Sequence, residues 1–144
     1  MVARMSEDSR NEQSGTVAVI GGGSIGIAFA IVFARAGLEV RLHEPDAARC
    51  AAVPSLLRAR LDDLRAYELL DERPEIVLRR VTVGADLAAA VQDTVYVQEC
   101  APEDLALKKQ LFAELDRLAP PQAVLASASS AIVASAFAAD LPRR

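Results

Sequence analysis

TVAVIGGGSIG, residues 16–26, joins a short apolar run to glycines with the spacing G-x-G-x-x-G. Residues 17–20 have the uninterrupted apolar character of a strand that is buried on both faces. Residues 25–36 are rich in Ala, Ile and Phe and are long enough for a helix after the glycines. A strand, a glycine turn and a helix in this order form the context that a dinucleotide-binding fingerprint requires.

Each glycine of the motif is expected to have its own role. Gly21 permits the tight turn off the strand, Gly23 lets the backbone approach a pyrophosphate, and Gly26 lets the helix pack close to the strand. The start of the helix offers unpaired N–H groups and a positive dipole end to the phosphates. We therefore predict a cofactor-binding segment, rather than a purely structural turn, that consists of Gly21, Gly22, Gly23, Ser24, Ile25 and Gly26.

A second strand is predicted over residues 38–43, and an acidic residue follows it. This residue, Glu44, lies about 20 positions after the last glycine, where a ribose-binding acid is expected. Its carboxylate would accept hydrogen bonds from the adenosine ribose hydroxyls and repel the extra phosphate of NADP, so NAD is the predicted cofactor. The alternative is a solvated glutamate at a strand end.

The rest of the chain alternates between predicted helices and strands. Residues 47–70 have a helical pattern in which Pro54 is expected to break or kink the run, and a third strand is expected near Val81 and Val83. The further elements predicted are a short helix over 86–91, a strand over 94–99, an amphipathic helix over 102–118, a strand over 124–127 and a last helix that Ser129 or Ser130 caps and that runs to residue 139.

This alternation is typical of a parallel sheet with right-handed crossovers. The predicted fold is therefore α/β, a Rossmann-type doubly wound parallel sheet in one domain over residues 16–144, after a disordered tail over residues 1–15. Ligands of such sheets bind outside the carboxyl ends of the strands. The glycine turn, Glu44 and segments 99–103 and 127–130 all fall at predicted carboxyl ends, so one site is expected along this edge.

Composition narrows the possible partners and the setting. The chain has 144 residues, is 52% hydrophobic and carries a formal net charge of −4, which argues against nucleic acid or an anionic membrane as partner. Cys50 and Cys100 lack any motif spacing and are expected to be free thiols in a reducing cytosol, with no metal site. No apolar run reaches membrane-spanning length, and residues 1–15 lack the apolar core of a signal peptide. We expect a cytoplasmic protein.

Residues 96–117, YVQECAPEDLALKKQLFAELDR, and residues 123–132, AVLASASSAI, carry a more specific signal. With the glycine turn, they resemble the NAD-binding domain of the 3-hydroxyacyl-CoA dehydrogenase family. The QECAPEDL block is most similar to the branch that contains lambda-crystallin (L-gulonate 3-dehydrogenase) and carnitine dehydrogenase-like proteins. The resemblance covers residues 17–142 and implies oxidation of a 3-hydroxy acid or a 3-hydroxyacyl-CoA by hydride transfer to NAD.

The resemblance also implies roles for four side chains. Glu103 and Lys108 match residues that line the cofactor channel, although Lys108 alone would be interpreted as a surface lysine of an amphipathic helix. Ser130 matches the serine that lies by the nicotinamide and hydrogen-bonds the substrate hydroxyl, and it is the one candidate catalytic residue. Ser127 matches an earlier, supporting serine of the same loop. The resemblance implies that Ser127, like Ser130, contacts the cofactor. Ser130 without the resemblance would be a helix cap.

The chain departs from the family in two respects. The loop reads Ser127-Ala128-Ser129-Ser130, where family members usually carry a second polar residue at the position of Ala128. The family's general-base histidine and its helical domain, which binds the substrate and forms the homodimer, lie beyond the position that matches Arg144. The histidine present, His43, is expected at a strand end and not as a base.

Three interpretations of the chain therefore remain open. It is the N-terminal domain or a truncated product of a dehydrogenase, a free-standing NAD-binding module completed by another chain, or a remnant without enzymatic activity. In each case we expect the chain alone to turn over a 3-hydroxy substrate slowly or not at all, because a base is missing.

Overall fold

The computed structural model describes residues 15–143. The predicted disordered tail lies outside the described residues, apart from Gly15. The helices and strands are β1 (Thr16–Ile20), α1 (Ser24–Arg35), β2 (Glu39–His43), α2 (Ala47–Ala66), α3 (Pro74–Leu78), β3 (Val81–Gly84), α4 (Leu87–Val91), β4 (Thr94–Glu99), α5 (Leu105–Leu118), β5 (Val124–Ser127) and α6 (Ser135–Ala138).

The five strands form one sheet in the order β3-β2-β1-β4-β5, and every neighbouring pair is parallel. The alternation of helices and strands and this strand order confirm the predicted α/β, Rossmann-type fold. Chain order reverses between β1 and β4, which is the position where open parallel sheets form a ligand-binding crevice.

Two apolar cores lie on opposite faces of the sheet. Val17 and Val19 of β1 pack with α1, α2 and α3, whereas Ala18 and Ile20 pack with residues of α4 and α5. These four side chains are at most 3% exposed. The run of apolar residues in β1 is uninterrupted because both faces of this central strand are buried.

Pro54 does not end the second helix, so of the predicted break or kink the break is wrong. Helix α2 continues through this exposed proline, because Val53, Leu57 and Leu61 on its inner face are buried against the first core. Tertiary packing thus outweighs the hydrogen bond that proline cannot donate.

Helix α2 ends at Ala66, four residues before the predicted end at residue 70. Glu68 follows with a φ of 56°, and the N–H of Leu69 donates to the carbonyl of Leu64 over 2.8 Å. This is the hydrogen bond of a Schellman ending. The next polar link leads into α3, and β3 follows at the predicted place around Val81 and Val83.

The predicted last helix, from Ser129 or Ser130 to residue 139, is wrong. In the structure only one turn, α6, is helical, and residues 128–134 form an irregular segment. Ser129 and Ser130 therefore do not cap a helix that begins at once, although the hydroxyl of Ser129 accepts the N–H of Ile132 over 3.2 Å. The N–H groups of residues 130–132 donate to a carboxylate of the site described below.

Helix α5 also differs from its predicted amphipathic pattern. Phe112 and Leu115 are buried, but Leu105 is 41% exposed and Lys108 is only 1% exposed. The prediction that Lys108 lies on the wetter side is therefore wrong, because a buried carboxylate of β4 provides its partner. Within residues 15–143, no helix has the length and apolar character needed to cross a membrane.

Candidate functional site

Gly21 begins the turn between β1 and α1 in a conformation that favours glycine. Its φ is +114°, and a Cβ there would lie 2.7 Å from the carbonyl oxygen of Cys100. Its N–H donates to the carbonyl of His43 over 2.8 Å. The turn is thus held tightly between the carboxyl ends of β2 and β4, as its position in the motif predicts.

Gly26 is required by the packing of the turn on its own helix. A Cβ at this position would lie 1.8 Å from the carbonyl oxygen of Gly21 and 3.5 Å from Cγ1 of Val19. The closest approach is therefore to the turn itself rather than to the strand that the motif predicts. Any side chain at Gly26 would force the turn away from α1.

Gly23 has neither of these internal reasons to be glycine. A Cβ there would meet no atom within 4 Å, the residue is exposed, and its backbone is extended with a φ of −75°. The space that a side chain would fill lies open at the N-terminus of α1. A ligand that approaches the backbone here provides the physical reason for a missing side chain.

The first turn of α1 leaves its N–H groups available to an anion. The N-cap, Gly23, offers no side-chain hydrogen bond, and no acidic residue lies in the first turn. Ser24 and Ile25 are both exposed at this end, and Ile25 is 57% exposed. These groups and the helix dipole form the arrangement that binds phosphate.

Glu44 is buried to 3% exposure directly beside this turn. Its Oε2 accepts the N–H of Gly22 over 2.9 Å, and its Oε1 accepts the N–H of Asp46 over 3.0 Å and Nη2 of Arg49 over 3.1 Å. Burial acts to raise the pKa of Glu44, but these three donors outweigh it and the pKa lies below its usual value. The carboxylate is therefore ionised at neutral pH and tied to the glycine turn.

At the carboxyl end of β4 lies a buried ion pair that sequence reasoning missed in part. Glu99 and Lys108 have side-chain exposures of 0% and 1%, and Nζ of Lys108 lies 2.8 Å and 3.0 Å from the two carboxylate oxygens. The N–H of Ala101 and the hydroxyl of Ser127 also donate to this carboxylate. The sequence signal is a glutamate at the carboxyl end of a predicted buried strand.

Glu103 is bound by the irregular segment after β5. Its Oε1 accepts the hydroxyl of Ser129 over 2.5 Å and the N–H groups of Ser130, Ala131 and Ile132 over 3.2, 3.0 and 3.2 Å. The Ser129 hydroxyl is the largest cause, before the backbone donors, that holds the pKa of Glu103 near 2. Its second oxygen lies 3.4 Å from Nζ of Lys108.

The predicted site residues therefore form two groups at one edge of the sheet. The glycine turn and Glu44 lie at the ends of β1 and β2, and Glu103, Lys108, Ser127 and Ser130 lie at the ends of β4 and β5. Ile20 stands beside Glu99 in the sheet, and Glu99 stands beside Ser127. Ser130 is exposed.

The remaining candidate groups do not add chemistry to this edge. His43 is 7% exposed, with Nε2 3.2 Å from the carbonyl of Ala85, and burial lowers its pKa. Cys50 and Cys100 are both free, and burial, followed by the charge of Glu99, raises the pKa of Cys100 to about 12. Over residues 15–143, no cluster of three or more His, Cys, Asp or Glu side chains could hold a metal ion.

Comparison with known proteins relates the chain to a family. The sequence model described as "3-hydroxyacyl-CoA dehydrogenase, NAD binding domain" matches residues 16–144. The lambda-crystallin homolog of Bos taurus is 38% identical over 129 residues, which are 88% of this chain and 40% of that protein. L-carnitine dehydrogenase/betainyl-CoA thioesterase of Rhizobium meliloti is 32% identical over 124 residues, 86% of this chain and 24% of that protein.

A solved structure agrees with the fold. The crystal structure of 3-hydroxybutyryl-CoA dehydrogenase from Escherichia coli K12 superposes with a TM-score of 0.82 and 34% sequence identity, over 90% of this chain and 28% of that one. The chain therefore spans well under half the length of each of these proteins.

Proposed function

The chain belongs to the 3-hydroxyacyl-CoA dehydrogenase family as its NAD-binding domain, and we propose that it holds NAD across the carboxyl edge of its sheet for the oxidation of a 3-hydroxy substrate. The membership confirms the resemblance and the predicted cofactor. The substrate would be a 3-hydroxy acid or a 3-hydroxyacyl-CoA and the product the 3-oxo compound. Fatty acid metabolism is the setting if the substrate is a thioester.

The observation that carries the proposal is the open space at Gly23. Gly21 and Gly26 are explained by clashes within the protein, but at Gly23 a Cβ would meet no atom within 4 Å. With the uncapped first turn of α1 beside it, this space fits a pyrophosphate that contacts the backbone of residues 22–24. The residues present thus fit the cofactor that the family uses.

We propose that the two groups of residues hold the two halves of the cofactor. The adenosine ribose would lie at Glu44, whose ionised carboxylate can accept its hydroxyls, and the exposed guanidinium of Arg49 would have to yield or share this position. The nicotinamide half would lie toward β4 and β5, near Glu103, Ser127 and Ser130. In this orientation the cofactor would cross the crevice between β1 and β4, where the chain order of the strands reverses.

The chain supplies only part of the chemistry of alcohol oxidation. Bound NAD would accept the hydride from C3 of the substrate. The hydroxyl of Ser130 would bind the substrate oxygen, while the proton of that oxygen must pass to a base. His43 is buried one residue before Glu44, at the adenosine end of the proposed site, and Glu103 is an acid with a pKa near 2 that is bound by a loop. We therefore propose that residues 1–144 bind NAD with little or no turnover of their own.

The assembly around the domain is also a proposal. Val133 is 68% exposed, and Leu105 and Leu107 of α5 are 41% and 39% exposed. Exposed apolar side chains on adjoining elements are typical of a surface that another domain or subunit covers. This supports a homodimeric dehydrogenase with a further substrate-binding part, and the free thiols favour a cytoplasmic setting.

Titration calorimetry of NAD into the chain and into Gly23→Val tests the proposal. We expect saturable binding to the wild-type chain and at least about tenfold weaker binding to the variant, with unchanged circular dichroism, because the valine fills pyrophosphate space. Equal affinity of the two proteins would contradict it. The alternative is an NAD-binding module with no catalytic role, and it predicts the same calorimetric result. Only an activity measurement on the complete enzyme distinguishes it from the first proposal.

A further inference from the structure

We propose that Glu99 is a positioning residue for the nicotinamide half of the site, acting through Lys108 and Ser127 without touching the cofactor. The inference rests on the proposed function, because it assumes that NAD lies along this edge. Glu99 is fully buried at the carboxyl end of β4. Its carboxylate is the point at which β4, α5 and the segment after β5 meet.

Glu99 and Lys108 depend on each other electrostatically. A buried charge without its partner is strongly unfavourable, so each holds the other inside the protein. Both carboxylate oxygens lie within 3.0 Å of Nζ of Lys108, and the lysine side chain is 1% exposed. Lys108 therefore directs its ammonium group inward, and it reaches the crevice only through what it holds in place.

The group that Lys108 holds is the carboxylate of Glu103. Nζ lies 3.4 Å from Oε2 of Glu103, whose other oxygen accepts the hydroxyl of Ser129 and three successive backbone N–H groups. A change at Glu99 would thus pass through Lys108 and Glu103 to the backbone of residues 130–132.

A second connection leads from Glu99 to the beginning of the same segment. The hydroxyl of Ser127 donates to Oε2 of Glu99, and its oxygen accepts the N–H of Ser129 over 3.1 Å. The N–H of Ala128 donates to the carbonyl of Glu99 over 2.9 Å. Glu99 therefore fixes both the start and the middle of the segment that carries Ser130.

The adenosine side of the site uses a different set of contacts. Glu44 is bound by Gly22, Asp46 and Arg49, none of which contacts the Glu99 carboxylate through the hydrogen bonds described above. A change at Glu99 should therefore affect the two halves of the cofactor unequally. A residue that only stabilises the fold would affect both halves alike.

The test compares NAD with ADP-ribose, which lacks the nicotinamide ring, by calorimetry on the 144-residue chain. For Glu99→Gln we expect the affinity for NAD to fall about tenfold, the scale of one lost charged hydrogen bond, while the affinity for ADP-ribose changes less than about twofold. Glu44→Gln is the matched control, and it should weaken both ligands together.

Glu99→Asp provides a second variant that keeps the negative charge beside Lys108, in case Glu99→Gln fails to fold. Its shorter side chain cannot keep every contact of the Glu99 carboxylate, so we expect the same unequal effect at about threefold. Equal weakening of NAD and ADP-ribose, or an unchanged affinity for NAD in a folded variant, would overturn the proposal. Wild-type protein that binds neither ligand would instead contradict the proposed function.

Discussion

Glu44 shows how much one carboxylate can organise at the edge of this sheet. It joins the N–H of Gly22 in the turn after β1 to the N–H of Asp46 at the start of α2, and it holds the exposed Arg49. The carboxylate of Glu44 already accepts these hydrogen bonds and lies beside the basic side chain of Arg49. This arrangement affects the choice between NAD and NADP, because an arginine at this position can accommodate a 2′-phosphate.

Replacement of Glu44 by alanine should weaken NAD and reduce discrimination against NADP. We expect a loss of about 1–2 kcal/mol in NAD binding, the scale of hydrogen bonds to a charged acceptor. Arg49, released from its partner, would be free to meet the 2′-phosphate. Calorimetry with both cofactors measures this, with Asp63→Ala, an exposed acid on α2, as control. Unchanged preference for NAD in Glu44→Ala would remove Glu44 from the ribose site.

The glycines of the turn should separate folding from binding. Gly26→Ala places a Cβ 1.8 Å from the carbonyl oxygen of Gly21, and we expect a destabilisation of about 3 kcal/mol or more. Gly23→Ala meets no protein atom and should leave the melting temperature nearly unchanged while it weakens NAD. Thermal unfolding of the two variants measures the difference, and equal stability of both would contradict the geometry of the turn.

At the residue scale, the sequence predicted what local geometry determines. Spacing alone identified Gly21 and Gly26 as positions that require glycine. The burial of Lys108 and its ion pair with Glu99 were missed, because a helical pattern alone places every lysine on the solvent-facing side. The partner that allows this lysine to be buried comes from another element, and its position is fixed only by the assembled sheet.

At the scale of elements, the segment after β5 differs from what its composition predicts. AIVASAFAA, residues 131–139, has the composition of a helix, yet only Ser135–Ala138 form one. The carboxylate of Glu103 occupies the N–H groups of residues 130–132. An acid that lies at the start of a different helix could not be recognised from the sequence as their acceptor.

This contact should make the stability of the chain depend on acidity. The folded-state pKa of Glu103 is about 2, against an ordinary value of 4.5, so its stabilising contribution is complete above pH 4.5 and is lost as the pH falls toward 2. We expect the melting temperature of wild-type protein to exceed that of Glu103→Gln at pH 7 and the difference to vanish near pH 2. Glu39→Gln, an exposed glutamate of β2, is the control, and a difference independent of pH would contradict the contact.

At the scale of the whole molecule, the sheet brings the ends of β1, β2, β4 and β5 to one edge, with a separate apolar core on each face. This much was predictable, because apolar runs of strand length alternate with helical patterns and parallel sheets place their ligands at one edge. The boundaries of α2 and α6 were not predictable, because they depend on packing in the assembled fold.

Catalysis should be absent from the chain when it is tested by itself. Oxidation of an alcohol needs a positioned base, which typically contributes about 10²–10⁴-fold, and substrate positioning contributes more. We expect no measurable NADH formation from L-gulonate, carnitine or 3-hydroxybutyryl-CoA, followed by absorbance. Turnover of about 1–10³ per second that Ser130→Ala abolishes would show that the 144 residues contain an unrecognised base.

The position of NAD on the chain is the central claim, and a crystal structure of the chain with saturating NAD measures it. We expect the pyrophosphate at residues 22–24, the adenosine ribose at Glu44 and the nicotinamide beside residues 127–130. A well-ordered NAD molecule on any other surface would contradict the account. So would a carboxyl edge of the sheet that holds no NAD at concentrations that saturate the chain's relatives.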